Sequence, residues 1–439
     1  MKSIDKIPTS KIQRASKLMT TGAKIGVNYL KYYGEKIVGS EEKAKVKLDE
    51  SNASDIYDSL KSLKGSALKV AQMMSMEKTM LPQAYVEKFS LSQFSVPPLS
   101  AALVRKTFKR YFGKDTSELF DDFNFEAINA ASIGQVHQAE KDGEKLAVKI
   151  QYPGVAESIG SDLSMVKPIA MRMLNIKGKD AERYFVEVEE KLLEETDYAL
   201  ELNQSKTVSK ACAHIPNLLF PNYYDELSND KILTMDWMDG VHISTFSKAN
   251  TSTERANKVG QALWDFYMYQ IHVLKKVHAD PHPGNFMVSS DDELIAIDFG
   301  CMKEIPEDFY LPYFELTKPE VLNNPVEFEK QLYALEILKE TDTKEQTLFF
   351  SEVFKELLGL FALPFQKEEF DFSDPAFFNQ IANMAEKYSK DDTMRKADAG
   401  RGSTHFIYIN RAFFGLYSLM NELQSNKIVV NSYNSMIIH

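Results

Sequence analysis

The sequence predicts an α+β protein that folds as more than one packed unit. Its 439 residues exceed the size of one ordinary hydrophobic core, and 44% hydrophobic with 26% charged residues is typical of a folded globular chain. Between about residues 119 and 152 the hydrophobic period changes from that of helices to that of strands. Beyond about residue 306 the pattern is helical to the end. A strand-containing section between helical regions is therefore expected.

The first 36 residues are basic, whereas the rest of the chain is acidic. They carry eight Lys and Arg against two acidic residues, a net charge of +6, and leave −17 for the remainder. An acidic body excludes nucleic acid as a general partner, because phosphate backbones require a basic surface. The basic segment has interleaved apolar residues, which fits peripheral contact with an anionic membrane; a solvated helix or tail is the alternative.

Cysteine and apolar content indicate the compartment. The two cysteines, Cys212 and Cys301, are far apart and form no CxxC pair, which argues against a disulfide framework or a thiolate zinc site. The sequence contains no run of eighteen apolar residues and no apolar signal core at its start. We expect a cytoplasmic protein that is at most peripheral to a membrane.

The elements before residue 115 are predicted to be helical. Residues 41–52 (EEKAKVKLDESN) are charged and lack apolar periodicity, which predicts a linker. From Asp55 to Met80 apolar residues recur every three or four positions, as on one face of a helix. A short helix is expected at about 101–112, after the stop signal VPPLS.

The middle of the chain predicts two hairpins separated by helices. Residues 134–152 (GQVHQAEKDGEKLAVKIQY) form two extended runs around an Asp-Gly turn. An acidic helix at 181–204, a strand at 231–243 and a helix from Thr253 to Val277 follow. NFMV and LIAI then flank the turn residues SSDDE, which predicts the second hairpin.

The stretch VHADPHPGNFMV, residues 277–288, contains the strongest chemical motif. His278, Asp280 and His282 could ligate a metal, but no matched His or Asp set is found nearby in the sequence. Asp280 and Asn285 also have the spacing of a kinase catalytic loop, H-x-D-x-x-x-x-N. In that loop the Asp acts on the attacking hydroxyl and the Asn oxygen holds Mg²⁺. We favour the catalytic loop.

Two further motifs agree with that interpretation. LAVKI places Lys149 in a strand, the setting of a lysine that contacts the α- and β-phosphates of ATP, although a solvated strand lysine is the common alternative. DFG follows the second hairpin, so that Asp298 would bridge Mg²⁺ to the phosphates. The three motifs in this order predict ATP and Mg²⁺ as ligands.

The chain resembles the UbiB/ADCK atypical kinases, strongly from about residue 54 to 305. The resemblance lies in LKGSALKVAQMMS, AASIGQVHQA, LAVKIQYPGV, EETDYALELN, HADPHPGNF and IDFG. It implies a protein-kinase-like two-lobe fold with an N-terminal helical extension and a mostly helical C-lobe, binding of ATP with a divalent metal, and a link to isoprenoid quinone biosynthesis. A lipid or quinone precursor is then a candidate partner. The implied divisions are a basic segment with linker at 1–50, the extension at 51–115, the nucleotide-binding N-lobe at 116–240 and the C-lobe at 241–439.

The resemblance also implies residue roles. Lys149 takes the role of the strand lysine and Glu201 that of its helix partner, while Glu195 and Asp197 correspond to the family's ExD motif. A solvated acidic helix face is the alternative for these three acids. The catalytic loop and the metal-binding aspartate of the family correspond to Asp280, Asn285 and Asp298.

Two stretches depart from a known pattern. Ordinary kinases cover the phosphates with a G-x-G-x-x-G loop, whereas this chain has NAASIGQV, in which Ala130, Ala131, Ser132 and Gly134 are the candidate nucleotide-binding residues. This alanine-rich form resembles that of the UbiB family.

The second departure is from the family itself, since its KxGQ motif appears here with alanine in place of glycine, between Lys69 and Gln72. We expect this helix to bring Lys69 to an anionic partner, either the ExD acids or the nucleotide phosphates, and to block peptide substrates.

The predicted function is that of an ATP-binding atypical kinase or ATPase that acts on, or is regulated by, a small molecule or lipid. One alternative is a catalytically silent nucleotide-binding scaffold, which the presence of Lys149, Asp280, Asn285 and Asp298 disfavours. The other is an ordinary protein kinase, which the alanine-rich loop and the lack of a recognisable A-P-E segment disfavour.

Overall fold

The chain forms two compact units in the computed structural model. One comprises Met1–Leu202 with Asn222–Trp237, and the other Asn203–Pro221 with Met238–His439. The structure describes residues 11–38, 40–63, 67–68, 83–90, 98–130, 133–174, 178–249, 251–389 and 401–434. Four predicted site residues lie outside these ranges: Lys69, Gln72, Ala131 and Ser132.

Helices make up most of the first unit. They are α1 (Lys11–Val38), α2 (Glu41–Leu63), α3 (Gln83–Ser90), α4 (Ala101–Phe112), α5 (Val155–Leu174), α6 (Gly178–Glu195) and the start of α7 (Tyr198–Cys212). The short helix predicted at 101–112 is confirmed as α4, which ends at Gly113 with a φ of 70°. Of the helix predicted from Asp55 to Met80, the described part is helical to Leu63 and again at residues 67–68.

The linker predicted at 41–52 is wrong, because these residues form the first half of α2. Ala44, Leu48 and Asn52 follow one another at four-residue intervals and are all buried. They give α2 a narrow buried face that the high charge content concealed. The side chain of Asn28 in α1 donates to Asn52 and Asp55, which ties the two helices together.

The first unit also contains an antiparallel sheet. Its strands are β1 (Asp122–Phe123), β2 (Asn129–Ala130), β3 (Gly134–Lys141), β4 (Glu144–Gln151) and β6 (Ile232–Asp236), in the order β1-β3-β4-β6 with β2 also pairing with β3. The hairpin predicted at 134–152 is confirmed. Its turn residues Asp142 and Gly143 both have positive φ (54° and 83°), as a two-residue hairpin turn requires. Leu146, Val148 and Ile150 are buried on one face of β4, which leaves Lys149 on the other.

The single acidic helix predicted at 181–204 is instead two helices, α6 and α7, separated at Thr196 and Asp197. The Thr196 hydroxyl donates to the Leu193 carbonyl, and the Asp197 side chain accepts from the Leu200 amide. These short-range bonds end one helix and cap the next, since such side chains compete with the helical backbone.

The second unit is mostly helical. Beyond the rest of α7 it contains α8 (Ile243–Lys248), α9 (Thr253–Tyr269), α10 (Glu307–Glu315), α11 (Pro319–Leu322), α12 (Pro325–Ala334), α13 (Lys344–Phe361), α14 (Pro375–Ser389) and α15 (Thr404–Glu422). A large apolar core includes Trp264, Phe286 and Tyr417, each almost completely buried. None of the helices in the described ranges of either unit is both long and apolar enough to cross a membrane.

Short strands position the loops of the second unit. They are β5 (Leu218–Leu219), β7 (Val241–His242), β8 (Lys276–His278), β9 (Phe286–Val288), β10 (Leu294–Ala296), β11 (Met302–Glu304), β12 (Glu369–Phe370) and β13 (Ile428–Val429). β9 and β10 pair antiparallel, which confirms the second hairpin, and β8 pairs with β11. The single strand predicted at 231–243 is instead two strands, β6 (Ile232–Asp236) and β7 (Val241–His242).

The helix predicted from Thr253 to Val277 ends earlier than expected. α9 continues as a π-helical turn at Gln270–Leu274, and Lys275 stops it in the left-handed conformation with a φ of 52°. Val277 then lies in β8. Val277, the apolar residue of β8, continues the helical period of Val273 and Leu274, so the pattern alone does not show where the helix ends.

Candidate functional site

Lys149 and Glu201 form a buried ion pair in the first unit. Lys149 lies in β4 opposite Val136 of β3 and Leu233 of β6. Its Nζ is 2.7 Å from one carboxylate oxygen of Glu201 and 2.9 Å from the other. The Glu201 side chain is 2% exposed and that of Lys149 is 18% exposed. The glutamate is thereby neutralised inside the fold, while the lysine keeps some access to the exterior.

The start of α7 fixes the position of Glu201. Asp197 is the N-cap of this helix, since its side chain accepts from the Leu200 amide at 2.9 Å. The Glu201 amide donates to the Asp197 carbonyl at 3.0 Å, so the two acids are one turn apart. Glu195 ends α6 and is half-buried. The observed role of Asp197 is therefore that of a helix cap. That Glu195 and Asp197 contact a nucleotide or a metal remains a prediction.

Tyr198 is a residue of this site that the sequence did not reveal. It is fully buried, and its ring centroid is 5.0 Å from the Lys149 ammonium, within range of a cation–π interaction. It precedes Glu201 by three residues, so both lie on the same face of α7. The feature of the sequence that could have indicated Tyr198 is its position three residues before the predicted glutamate.

Gly134 lies where the predicted nucleotide loop enters β3. A Cβ at this position would lie 2.7 Å from both the Ile150 carbonyl oxygen and the Tyr198 hydroxyl. Only glycine therefore allows β3 to approach β4 and α7 this closely. Ala130, earlier in the same loop, pairs with Gln135 and is half-buried.

The predicted catalytic loop of the second unit is held by its own backbone. Asn285 donates its Nδ2 to the Asp280 carbonyl at 2.9 Å, and its amide donates to the His282 carbonyl at 2.9 Å. Because Nδ2 faces a carbonyl, the Oδ1 of Asn285 is the atom suited to a cation. Asp280 and Asn285 are both half-buried.

His278 connects this loop to the DFG segment. Its Nδ1 accepts from the Asp280 amide at 3.3 Å, so Nε2 carries the proton and donates to the Asp298 carbonyl at 2.8 Å. His282 also uses its Nδ1 locally, accepting from the Gly284 amide at 3.0 Å. Within the described ranges, no three His, Cys, Asp or Glu side chains are grouped as metal ligands. Both histidines make hydrogen bonds within the loop or to the DFG segment.

Asp298 follows β10 and is half-buried. Its Oδ1 accepts from the Gly300 amide at 3.0 Å, which orients the carboxylate within the turn. Beyond this turn, the Ala279 amide donates to the Cys301 carbonyl at 2.9 Å. The carboxylate of Asp298 and the amide oxygen of Asn285 are the oxygen ligands that Mg²⁺ prefers, and Mg²⁺ typically takes few protein ligands besides waters and phosphates. The donor chemistry fits a Mg²⁺-nucleotide.

Tyr267 of α9 is a second residue that the motifs did not indicate. It is completely buried, and burial raises the pKa of its hydroxyl well above the usual value. The negative charge of Asp280 raises this pKa further. A protonated phenol therefore lies near the carboxylate of the predicted catalytic aspartate.

Comparison with known proteins agrees with these features. The ABC1 atypical kinase-like domain family model matches residues 91–328. The chain is 30% identical to the mitochondrial atypical kinase COQ8 of Saccharomyces cerevisiae over 316 residues, which cover 71% of this chain and 63% of that protein. It is 27% identical over 364 residues to the chloroplastic protein Activity of bc1 complex kinase 8 of Arabidopsis thaliana, covering 80% of this chain and 48% of that one. The chain thus spans about half to two thirds of these relatives.

A solved structure shows the same fold. The Rv3197–erythromycin complex from Mycobacterium tuberculosis aligns with a TM-score of 0.61 and 24% identity, covering 90% of this chain and 97% of that chain. This likeness concerns the fold alone. Together with the family match it confirms the kinase-like α+β fold that the motifs and the resemblance predicted.

Proposed function

The chain belongs to the ABC1 atypical kinase-like family, and we propose that it binds ATP with Mg²⁺ and transfers the γ-phosphoryl group to water or to a small-molecule or lipid acceptor. The observation that carries this proposal is the buried Lys149–Glu201 pair at 2.7 Å. In protein kinases the strand lysine must be paired with a helix glutamate before it can hold the phosphates. The pair has the two partners that this role requires, a lysine in strand β4 and a glutamate in helix α7, and the lysine is still 18% exposed.

The remaining residues have separate roles in this proposal. Lys149 would contact the α- and β-phosphates, and Ala130 and Gly134 belong to the segment proposed to cover them. Asp298 and Asn285 hold the metal, which when bound neutralises charge on the phosphates. Asp280 orients the attacking hydroxyl or accepts its proton. Glu195 and Asp197 are assigned to the nucleotide by the ExD correspondence alone.

A lipid or quinone precursor is the proposed acceptor or regulator, on the strength of the family resemblance. Helix α1 provides an independent argument for a membrane-bound partner. Val27, Leu30 and Tyr33 are exposed at three-residue intervals, with relative exposures of 50%, 73% and 59%. Lys24 and Lys31 are also exposed on this helix. Exposed apolar and basic side chains on one helix fit an anionic membrane surface, where the apolar groups leave water.

The proposed function is tested by nucleotide binding and hydrolysis with and without Mg²⁺. Asp298→Asn removes a charged metal ligand, so we expect Mg-dependent ATP affinity, measured by calorimetry, to fall at least tenfold. Asp291→Asn is the matched control, because this exposed aspartate lies in the β9–β10 turn of the same unit. Equal Mg-ATP affinity in wild type and Asp298→Asn would refute the metal assignment.

The turnover step is tested separately with Asp280→Asn. Because Asp280 acts on the nucleophile, ATP affinity should stay within about threefold while turnover falls by about 10²–10⁴-fold, as for loss of a general base. Tight Mg-ATP binding without turnover in the wild type, with and without vesicles containing quinone precursors, would instead support the silent scaffold.

A further inference from the structure

Helix α15 makes an unusually close contact with the residue that follows Asp280. A Cβ on Gly415 would overlap Cγ of Pro281, and it would lie 2.8 Å from Cβ and 3.3 Å from the carbonyl oxygen of that proline. Any side chain at 415 would displace Pro281. Glycine within a helix costs about 1 kcal/mol relative to alanine, and at position 415 this cost accompanies the close approach of Pro281.

The same helix also contacts the residue that precedes Asp280. Tyr408 forms a buried cluster with Ala279 and Cys301, with exposures of 7%, 0% and 4%. The Lys303 ammonium lies 4.9 Å from the centre of the Tyr408 ring. Through Cys301, whose carbonyl accepts from the Ala279 amide, this cluster includes the segment after DFG.

The two contacts lie on one face of α15. Tyr408 and Gly415 are seven residues apart, which is close to two helical turns and about 10 Å along the axis. One rigid face therefore packs against the residues on both sides of Asp280. Within the loop, the His282 amide donates to the Asp280 carbonyl and the Asn285 amide to the His282 carbonyl, while the Asn285 carbonyl accepts from the Ile297 amide.

We propose that Gly415 and Tyr408 are positioning residues. They hold Asp280 in place by packing against the two residues that flank it, Pro281 and Ala279. The inference rests on the proposed function only for its effect on turnover. The predicted displacement of the loop is a property of the fold, and it can be measured without any nucleotide.

The test compares Gly415→Ala with Gly359→Ala. Gly359 lies in helix α13, where an added Cβ would meet nothing within 4 Å, so its alanine variant controls for the change in helix propensity. We expect Gly415→Ala to lower kcat at least tenfold and to leave the KM for ATP within threefold. Gly359→Ala should change neither constant. In hydrogen exchange without nucleotide, the amides of His282 and Asn285 should exchange at least tenfold faster in Gly415→Ala only.

A double-mutant cycle identifies the contact responsible. Pro281→Ala removes the Cγ atom that the new Cβ would overlap, so Gly415→Ala should have a smaller effect on exchange and on kcat in that background. An equal effect in both backgrounds would overturn the inference. Tyr408→Leu gives an independent variant, and it should accelerate exchange of the same two amides.

Failure of the inference is distinguishable from failure of the proposed function. If the wild type neither binds nor hydrolyses ATP, the proposed function fails while the exchange rates still decide the inference. If His282 and Asn285 exchange at the wild-type rate in both Gly415→Ala and Tyr408→Leu, the inference fails whatever the activity.

Discussion

A buried ion pair is found in each unit, and the two pairs differ in how their cation is used. In the first unit Lys149 pairs with Glu201, and in the second Arg401 pairs with Asp342 in a bidentate arrangement with distances of 2.5 and 2.7 Å. Burial is similar, with exposures of 18% and 2% in one pair and 10% and 5% in the other. Each cation also lies over a ring, Lys149 over Tyr198 and Arg401 over Phe350.

The guanidinium of Arg401 has a further contact with the backbone of its unit. Arg401 also donates to the Ile337 carbonyl at 3.0 Å, and Asp342 accepts from the Lys339 amide at 2.8 Å. The planar guanidinium thus links the segment of Arg401 to the segment that contains Ile337 and Asp342, which is a structural role. The lysine ammonium is a compact charge on a flexible stem, the type of group that can hold phosphates. Burial and distance alone do not separate a functional pair from a structural one.

The largest expected difference between the pairs concerns activity. Lys149→Met removes the proposed phosphate contact, so Mg-dependent ATP hydrolysis should fall at least about 100-fold. Arg401→Met, measured at a temperature where it is folded, should keep hydrolysis within about threefold of wild type. Comparable losses in the two variants would show that the pairs do not differ in function.

The sequence predicted the parts of this comparison that are encoded locally. The β3–β4 hairpin follows from an Asp-Gly turn between alternating runs, and the spacing of Asp280 and Asn285 is contained in one short stretch. Lys149 and Glu201 are 52 residues apart, and only the family resemblance paired them. No motif marks Arg401 and Asp342, which are 59 residues apart.

What the sequence missed depends on tertiary packing. The narrow buried face of α2 does not stand out from its charges, and the N-cap role of Asp197 is indistinguishable from a continuous acidic helix. The contact of Gly415 with Pro281 joins positions whose proximity follows only from the folded chain. Such contacts have no periodic signal, because they depend on which elements become neighbours.

The second prediction concerns stability. Arg401→Met leaves Asp342 buried without its main cation, so the free energy of unfolding should fall by about 3 kcal/mol, the lower end for a broken buried pair. Lys149→Met likewise removes the cation that is paired with the buried Glu201. Lys149→Met with Glu201→Gln should therefore recover stability relative to Lys149→Met, yet remain inactive. Chemical denaturation of the four proteins measures this, and recovery of activity with stability would contradict the assigned role of Lys149.

The third prediction concerns how the stabilisation by the Arg401–Asp342 pair depends on pH. Hydrogen bonding from Arg401 lowers the pKa of Asp342 below its ordinary value, against the opposing effect of burial. A carboxyl whose pKa is lower in the folded state stabilises the fold above its unfolded pKa of about 3.9, and this contribution is lost as the pH falls through the folded pKa. The destabilisation by Arg401→Met should thus be full at about pH 7 and shrink below about pH 4. A stability difference that is constant from about pH 7 to about pH 3 would rule out this ionic contribution.

The smallest expected effects come from the two rings. A cation–π contact contributes about 0.5–2 kcal/mol, depending on how far the cation is desolvated. The Arg401 guanidinium is 3.7 Å from the Phe350 centroid and the Lys149 ammonium is 5.0 Å from that of Tyr198. If the pairs differ as proposed, Phe350→Leu should lower the free energy of unfolding by about 1 kcal/mol with unchanged ATP affinity.

Tyr198→Leu should instead weaken ATP affinity by about fivefold, the equivalent of about 1 kcal/mol, because the lysine loses the ring that holds it. Tyr198→Phe is the matched control, since it keeps the ring and should retain affinity within about twofold. Calorimetric titration of Mg-ATP into wild type, Tyr198→Leu, Tyr198→Phe and Phe350→Leu measures these affinities. If Tyr198→Phe loses as much affinity as Tyr198→Leu, the hydroxyl and not the ring matters. Unchanged affinity in both would show that the Tyr198 ring does not position Lys149.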